Sequence, residues 1–419
     1  MKKLDLFANK IEIFVYIAIL LGIFFINLAF KYYEFYEFKS KNYKFINGEI
    51  LLNYEKTNQK NRTYRVLKVK TKDFEFYTTT QKNRILSEVK FANFGVVTKN
   101  LKFIDFLKRR FYLPNFKITP NLDLKEKSAK DKLVSFITKQ HKNAKIKELY
   151  GALYFATPIS RDLRDDITLW GISHIIAISG FHLGIIFGVL FFCLMPIYKF
   201  FQCRYFPYRS AKFDISIFVI FLMICYLFIL DFTPSFLRSL TMFGTGFFLL
   251  MRNYKIINYQ TLFLTISLLV AVFPYLAFSL GFYFSALGVL FIFIYMRHFY
   301  PNLSLWQNII CLNLFVWFCM NVPVYYFFPT MSIQQVSVIL ISYIFVIFYP
   351  ISILLHIFEF GGVFDEILIE FLNFHLSSFK TQIPTYLFVF MNLSAILAVR
   401  FKIFAIVCVI LGFFPIFFI

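Results

Sequence analysis

The chain has 419 residues, 59% of them hydrophobic and 22% aromatic, with a mean hydropathy of +0.66. Those values exclude a water-soluble globular protein and require an integral membrane one. The formal net charge of +21 sits mainly in one stretch: residues 31–150 hold 28 Lys and Arg against 12 Asp and Glu, whereas residues 171–419 hold 11 against 6. Such a basic field draws polyanions, either nucleic acid or anionic lipid headgroups; the bland alternative is a lysine-rich coding bias.

In chain order, the run from Ile11 to Phe30 is long enough to cross a bilayer, and no small-residue cleavage site follows it, which predicts a retained helix. Lys2, Lys3 and Lys10 place the N-terminus in the cytoplasm, so residues 31–170 are expected outside, across an inner (cytoplasmic) membrane. KYYEFYEF (31–38) has the aromatic and charged character of the headgroup level. From Phe45 the period becomes that of strands. INGEILLNYEK, NRTYRVLKVKTK, FEFYTTT and SEVKFANFGVVTK are four short β runs parted by polar turns. In the second run Leu67, Val69 and Thr71 alternate with Lys68, Lys70 and Lys72, giving one inward and one basic face. This predicts a small β-barrel of the OB type, a fold that commonly grips single strands. Its candidate DNA-binding residues are Arg62, Tyr64, Arg65, Lys68, Lys70 and Lys72. Phe74, Phe76 and Tyr77 could stack on bases or fill the core. FIDFLKRRFYLPNF (103–116) is expected as an amphipathic link with Lys108, Arg109 and Arg110 on its polar side. Residues 122–150 are helical in pattern, and Ser160 is a candidate N-cap for a helix opening with acids.

Beyond Trp170 the chain is nearly continuous hydrocarbon. Spans are predicted at about 172–198, 214–231, 234–251, 259–277, 279–296, 307–328, 332–356, 384–400 and 401–419. Residues 356–380, interrupted by Gly361-Gly362, are expected to lie along the surface. The predicted fold is a polytopic α-helical membrane protein of about ten helices with a small OB-like extracytoplasmic barrel inserted after the first. Its parts are the first helix (1–30), the basic barrel and linker (31–121), amphipathic helices (122–170), the main membrane domain (171–355), and a surface helix with the last membrane helices (356–419).

Polar groups inside hydrocarbon cost free energy unless they face a partner or water. The segment WGISHIIAISGFHLGIIFGVLFF (170–192) holds several: Ser173, His174, Ser179 and His182. Gly180, Gly184 and Gly188 recur every fourth residue, the small-residue device for close helix packing. Three readings stay open: histidines that fix the bundle, a Ser–His hydrolase pair, or the polar lining of a hydrated passage. A second set, DFTPSFLRSL, puts Asp231 and Arg238 seven apart, on one helix face, around Pro234. Arg238 would snorkel to an interface, pair with Asp231, or face a polyanion path. A third, FPYLAFSLGFYFSALGVL, breaks an aromatic run with Pro274, Ser279, Gly281 and Ser285.

No HExxH, HxH or CxxC pattern occurs, which leaves a metal site unsupported, and no P-loop is present; no cofactor is expected. The six cysteines lie beyond residue 190, and buried free thiols are the expected state.

Gly171, Ser173, His174, Ala177, Ser179, Gly180, His182 and Gly184 together resemble the signature of the ComEC competence proteins. TPSFLRSLTM resembles a second element of that family through Pro234, Arg238, Ser239 and Met242. SLGFYFSALGVL is similar to a third through Gly281, Phe282 and Ser285, with Tyr283 in place of the usual glutamine. The resemblance covers roughly residues 11–355. Ala156-Thr157 stand where the family has Gly-Asp, and the asparagine common before a late proline is absent upstream of Pro350. The resemblance implies a channel that passes one DNA strand into the cytoplasm during natural transformation. It also implies that the metallo-β-lactamase-like domain of many relatives is missing here. The implied partners are single-stranded DNA, membrane lipid, a separate DNA receptor, a nuclease, and a cytoplasmic motor or strand-binding protein, with an oligomer possible. A secondary transporter of a small solute and an intramembrane Ser/His hydrolase are the alternatives.

Overall fold

The computed structural model describes residues 9–57, 63–71, 73–81, 90–121, 129–252 and 259–415. Arg62 and Lys72 lie outside the described residues. The chain forms two compact units: residues 9–128 with 267–279, and residues 129–266 with 280–419.

The first unit opens with helix α1 (Lys10–Lys39), 30 residues long. It continues through the segment expected at headgroup level, because Phe35 and Phe38 on its last turns are buried in the core of the following sheet. Strands β1 (Tyr43–Thr57), β2 (Thr63–Lys70), β3 (Glu75–Gln81) and β4 (Phe91–Val97) fall on the four predicted runs. After the short helix α2 (Phe103–Leu107) come β5 (Arg110–Tyr112) and β6 (Asn115–Pro120), where an amphipathic link was expected.

The six strands run in the order β5-β3-β2-β1-β4-β6 and leave the sheet open, which corrects the predicted barrel. The long β1 serves both halves, pairing with β4 through Tyr43–Glu49 and with β2 from Glu49 onward, with a bulge between Ile50 and Leu52. The end strands β5 and β6 are consecutive pieces of one stretch that passes from β3 to β4: the Leu113 N–H donates to the Tyr77 carbonyl and the Val97 N–H to the Pro114 carbonyl, both at 2.9 Å. At that crossing Asn115 Nδ2 donates to Thr78 Oγ1 at 2.6 Å and to the Thr79 carbonyl at 2.7 Å. The alternation in β2 is as expected, since Leu67 and Val69 are fully buried in the core with Phe76 and Phe94. Within this unit Tyr16 meets Ser267 Oγ at 3.1 Å, and Asn27 Nδ2 donates to the Ala271 carbonyl at 2.8 Å.

The second unit is helical. It begins with α3 (Ala129–Thr138), α4 (Ala144–Phe155) and α5 (Arg161–Leu169). Next come α6 (Ser173–Ile176), α7 (Gly180–Tyr205), α8 (Ala211–Ile229), α9 (Pro234–Met251) and α10 (Tyr259–Val272), the last shared with the first unit. Helices α11 (Leu280–His298) and α12 (Leu305–Phe327) lead to strand β7 (Thr330–Ser332) and helix α13 (Val338–Ile357). Helix α14 (Asp365–Asn373), strand β8 (Ser378–Lys380), α15 (Thr385–Ala398) and α16 (Lys402–Phe413) complete it.

Six helices among the described residues are long and apolar enough to cross a membrane: α1, α7, α8, α11, α12, and α13 with the turn before it. Helices α10, α15 and α16 are apolar but shorter, at 10–17 residues. The chain is thus a mostly helical multi-pass membrane protein. Residues 356–380 form no single surface helix. Strand β8 pairs with β7, and Phe371 of α14 stacks on Trp170 with ring centroids 4.0 Å apart. This return leg packs on the bundle because its apolar face has Trp170 and α4 to bury against.

Ser160 caps α5 as predicted, accepting from the Leu163 N–H. At the end of α4, Ala156 adopts a left-handed conformation with φ 53°. A Cβ is strained there, and glycine is not. Ala156→Gly, which restores the residue usual in the resembled family, is expected to raise unfolding stability by about 1 kcal/mol in thermal melts of the purified protein.

Candidate functional site

The predicted continuous span from 172 is broken. Helix α6 ends at Ile176, Ala177 is extended at φ −68°, ψ 118°, and Ser179 at φ −141°, ψ −173° starts α7 anew. Non-helical backbone at membrane depth survives only where protein or water satisfies its polar groups. Here side chains do so. Ser179 Oγ accepts from the Phe181 N–H, and His182 Nδ1 accepts from the Ser179 N–H at 3.3 Å, a capping box with histidine as its second member. Ser235 Oγ donates to the Ile178 carbonyl at 2.6 Å.

The segment before the break is held by a glycine. Gly171 has φ +68°, and a Cβ there would lie 3.1 Å from Gln335 Cγ. Gln335 Nε2 donates to the carbonyls of Thr168 and Thr330 at 3.0 and 3.1 Å, while Tyr325 donates to its Oε1 at 2.5 Å. His174 Nδ1 donates to the Gly171 carbonyl at 3.1 Å.

The residues of this segment therefore divide into two groups. Ser173, His174 and Ala177 are exposed, alternating with buried Ile172, Ile175 and Ile178. His182 is fully buried, its ring edge-on to Tyr349 at 4.9 Å and to Phe345 at 5.3 Å. Ser179 and His182 thus fasten the break. Since His182 takes a backbone N–H and Ser179 Oγ accepts one, the pair lacks the hydroxyl-to-imidazole bond that activates a nucleophile.

The glycine stripe is used once. A Cβ on Gly180 would come within 2.7 Å of Ser239 Oγ, so α9 lies close against it, whereas Gly184 and Gly188 have no atom within 4 Å of that position. The packing expected at the latter two is corrected: both are exposed, because α8 and α9 meet other faces of α7. Gly281 is also exposed, and Ser285 half-buried, on α11.

Asp231 and Arg238 do not share a helix face. Asp231 precedes α9 in a left-handed turn with Phe232, at φ 54° and 55°, and its Oδ2 accepts from Lys130 Nζ at 2.8 Å. Pro234 opens α9, as predicted. Arg238 lies inside that helix, only 4% exposed. Its Nη2 donates to Ser239 Oγ at 2.9 Å and its Nη1 approaches Met242 Sδ at 3.7 Å, while Nε has no hydrogen-bond partner among the described residues. No described carboxylate pairs with it. Ser239 Oγ donates in turn to the Ser235 carbonyl, so arginine, two serines and the Ile178 carbonyl form one chain against the break. Ser235 and Ser239, four apart on either side of Arg238, were legible as a polar face of α9. The contribution of Tyr349 and Phe345 was not, since aromatics fill the sequence.

In the first unit Lys68 Nζ lies 3.0 Å from Glu75, which also takes Arg110 at 3.2 Å, and Arg65 lies 3.3 Å from Glu55. The basic face is partly neutralised by the sheet's own acids. Tyr64 and Lys70 are half-buried beside them. Cys193, Cys203 and Cys225 are exposed and only Cys319 and Cys408 buried, which corrects the expectation for the first three: their helices turn apolar faces outward.

A multi-pass bundle with a broken helix, a capped re-entry and a buried arginine defines a membrane protein whose polar side chains converge on that break. The family model described as Competence protein matches residues 156–419, more than half of the chain, and the chain belongs to that family. No curated protein and no solved structure matches it. Membership gives the chain a role in competence, the uptake of DNA.

Proposed function

We propose that this protein is a ComEC-type channel that passes single-stranded DNA across the inner membrane into the cytoplasm, using the broken segment 171–184 as part of its wall. The observation that carries the reading is Arg238: a buried guanidinium beside the break with no carboxylate among the described residues to neutralise it. An unpaired cation there keeps a positive potential for phosphates, which a paired one would lose. Ser173 and His174 supply an exposed polar ledge on the same segment. The extracytoplasmic sheet adds a sequence-independent grip through Lys68, Lys70, Arg65 and Tyr64, of a kind that weakens steeply with salt. Phe35, Phe38, Phe111 and Ile118 all lie in its core, so the folding unit runs from α1 to β6.

Deleting the gene in a transformable host is expected to leave DNA uptake at the outer envelope intact and to abolish cytoplasmic entry. Loss of the first step, or retention of the second, removes the channel role. The second reading, a secondary transporter, is favoured by the broken helix itself, since such breaks form solute sites; normal DNA entry in the deletion strain would select it.

A further inference from the structure

Away from the break, three side chains from three places in the helical unit converge. His141 follows α3, His356 stands near the end of α13, and Asp365 opens α14. His141 Nδ1 lies 2.8 Å from Asp365 Oδ1, and its Nε2 lies 2.9 Å from Nε2 of His356. His356 Nδ1 lies 2.6 Å from the Ser352 carbonyl oxygen. The two histidines are 3% and 1% exposed.

Counting hydrogens decides what these distances mean. Asp365 sits in the first turn of its helix, where the positive end favours a carboxylate. A carboxylate only accepts, so His141 Nδ1 carries a hydrogen. The Ser352 carbonyl also only accepts, so His356 Nδ1 carries one. The Tyr154 hydroxyl, 3.4 Å from that nitrogen, gives its own hydrogen to Ser352 Oγ at 2.7 Å and has none to offer. Two neutral rings would then aim bare lone pairs at each other across 2.9 Å. A third hydrogen between the Nε2 atoms removes the conflict. Zinc fits less well: with Zn–N bonds of about 2.0–2.1 Å in tetrahedral geometry, the nitrogens would stand roughly 3.3 Å apart.

We propose that His141, His356 and Asp365 form a proton-binding site, in which one proton held between two imidazoles and balanced by the carboxylate latches the α3–α4 turn to the junction of α13 and α14. The inference is independent of what the bundle carries. Tyr150 lies flat on His141, with ring centroids 4.5 Å apart and planes 12° apart, an arrangement that favours a cationic ring. Gln140 donates to the His356 carbonyl at 3.0 Å and accepts from the Gly361 N–H at 2.9 Å, so two neutral bonds back the latch. Of the other ionisable groups nearby, burial pushes the Tyr150 and Tyr154 phenols up and keeps them neutral. The Lys145 ammonium is engaged by Asp166 at 2.9 Å, and Lys139, Lys142, Glu359 and Glu366 are exposed. Loss of the proton leaves the lone pairs opposed, so the latch holds while the proton is bound and loosens as pH rises past its release. Helix α13 also carries Phe345 and Tyr349, on which His182 packs, and so ties the latch to the break.

The test follows ring nitrogens of the ¹⁵N-histidine-labelled full chain in lipid nanodiscs as pH is raised, beside thermal melting, with signals assigned through His141→Gln and His356→Gln. The expected result is one doubly protonated ring at the acid end, a single proton lost on raising pH, and a melting temperature that falls with it. His356→Gln should flatten that dependence, and Asp365→Asn should move the loss to lower pH. Two singly protonated rings throughout, an unchanged pH dependence in both variants, or ring signals that change only on adding zinc would overturn the proposal. If a variant fails to fold, the wild-type ring signals alone decide.

Discussion

Arg238→Met is expected to leave the protein inserted and at least as stable as wild type while DNA entry into the cytoplasm is lost. An arginine in the apolar part of a membrane protein costs roughly 3 kcal/mol or more when unpaired. Arg238 recovers little of that, since its contacts are one serine hydroxyl and one thioether. Methionine retains most of the stem's volume without the charge, and exchanging a buried charge for a packed apolar group is commonly neutral or stabilising by about 1–4 kcal/mol. The melting temperature of the purified protein and transformation scored separately for envelope uptake and cytoplasmic entry check the two halves. A marked fall in melting temperature would make Arg238 structural cement for the break. Wild-type entry would remove it from the proposed path.

Gly171→Ala acts on the other side of the segment and through the backbone. At φ +68° an added Cβ is strained, and it would also press on Gln335 at 3.1–3.2 Å. Gln335 cannot retreat freely, because it bonds Thr168, Thr330 and Tyr325. The expected cost is about 1–3 kcal/mol, seen as a lower melting temperature and faster proteolysis between α5 and α7. Entry of DNA should fall with it, since Gly171 fixes where the exposed Ser173 and His174 stand. Unchanged stability would mean that this turn can reach a right-handed conformation.

The membrane class, the four main strands and the caps at Ser160 and Pro234 were legible because each rests on local chemistry: run length, alternation, or a hydroxyl before a helix. The signature segment was legible as a cluster and misread as a uniform helix, since apolar periodicity runs straight through Ala177-Ile178-Ser179 and only tertiary partners such as Ser235 stabilise the interruption. Asp231 and Arg238 suggested one face because seven residues make two turns, but the left-handed pair Asp231-Phe232 lies in the link between α8 and α9, so only Arg238 is on a helix. The barrel failed for a related reason. Strand patterning counts runs and does not say which edges pair, and here the stretch 110–120 leaves β3 for β4 as two short strands, β5 and β6, instead of one. The His141–His356–Asp365 cluster spans more than 200 residues of chain, and no spacing rule reaches that far.

The exposed thiols of α7 give the bundle its own depth gauge. Cys193 and Cys203 are ten residues apart on one continuous helix, which at the helical rise places them about 15 Å apart along its axis. A spin label on each in turn, with the other accessible cysteines replaced by serine, read against paramagnetic quenchers dissolved in lipid or in water, would locate that helix along the bilayer normal.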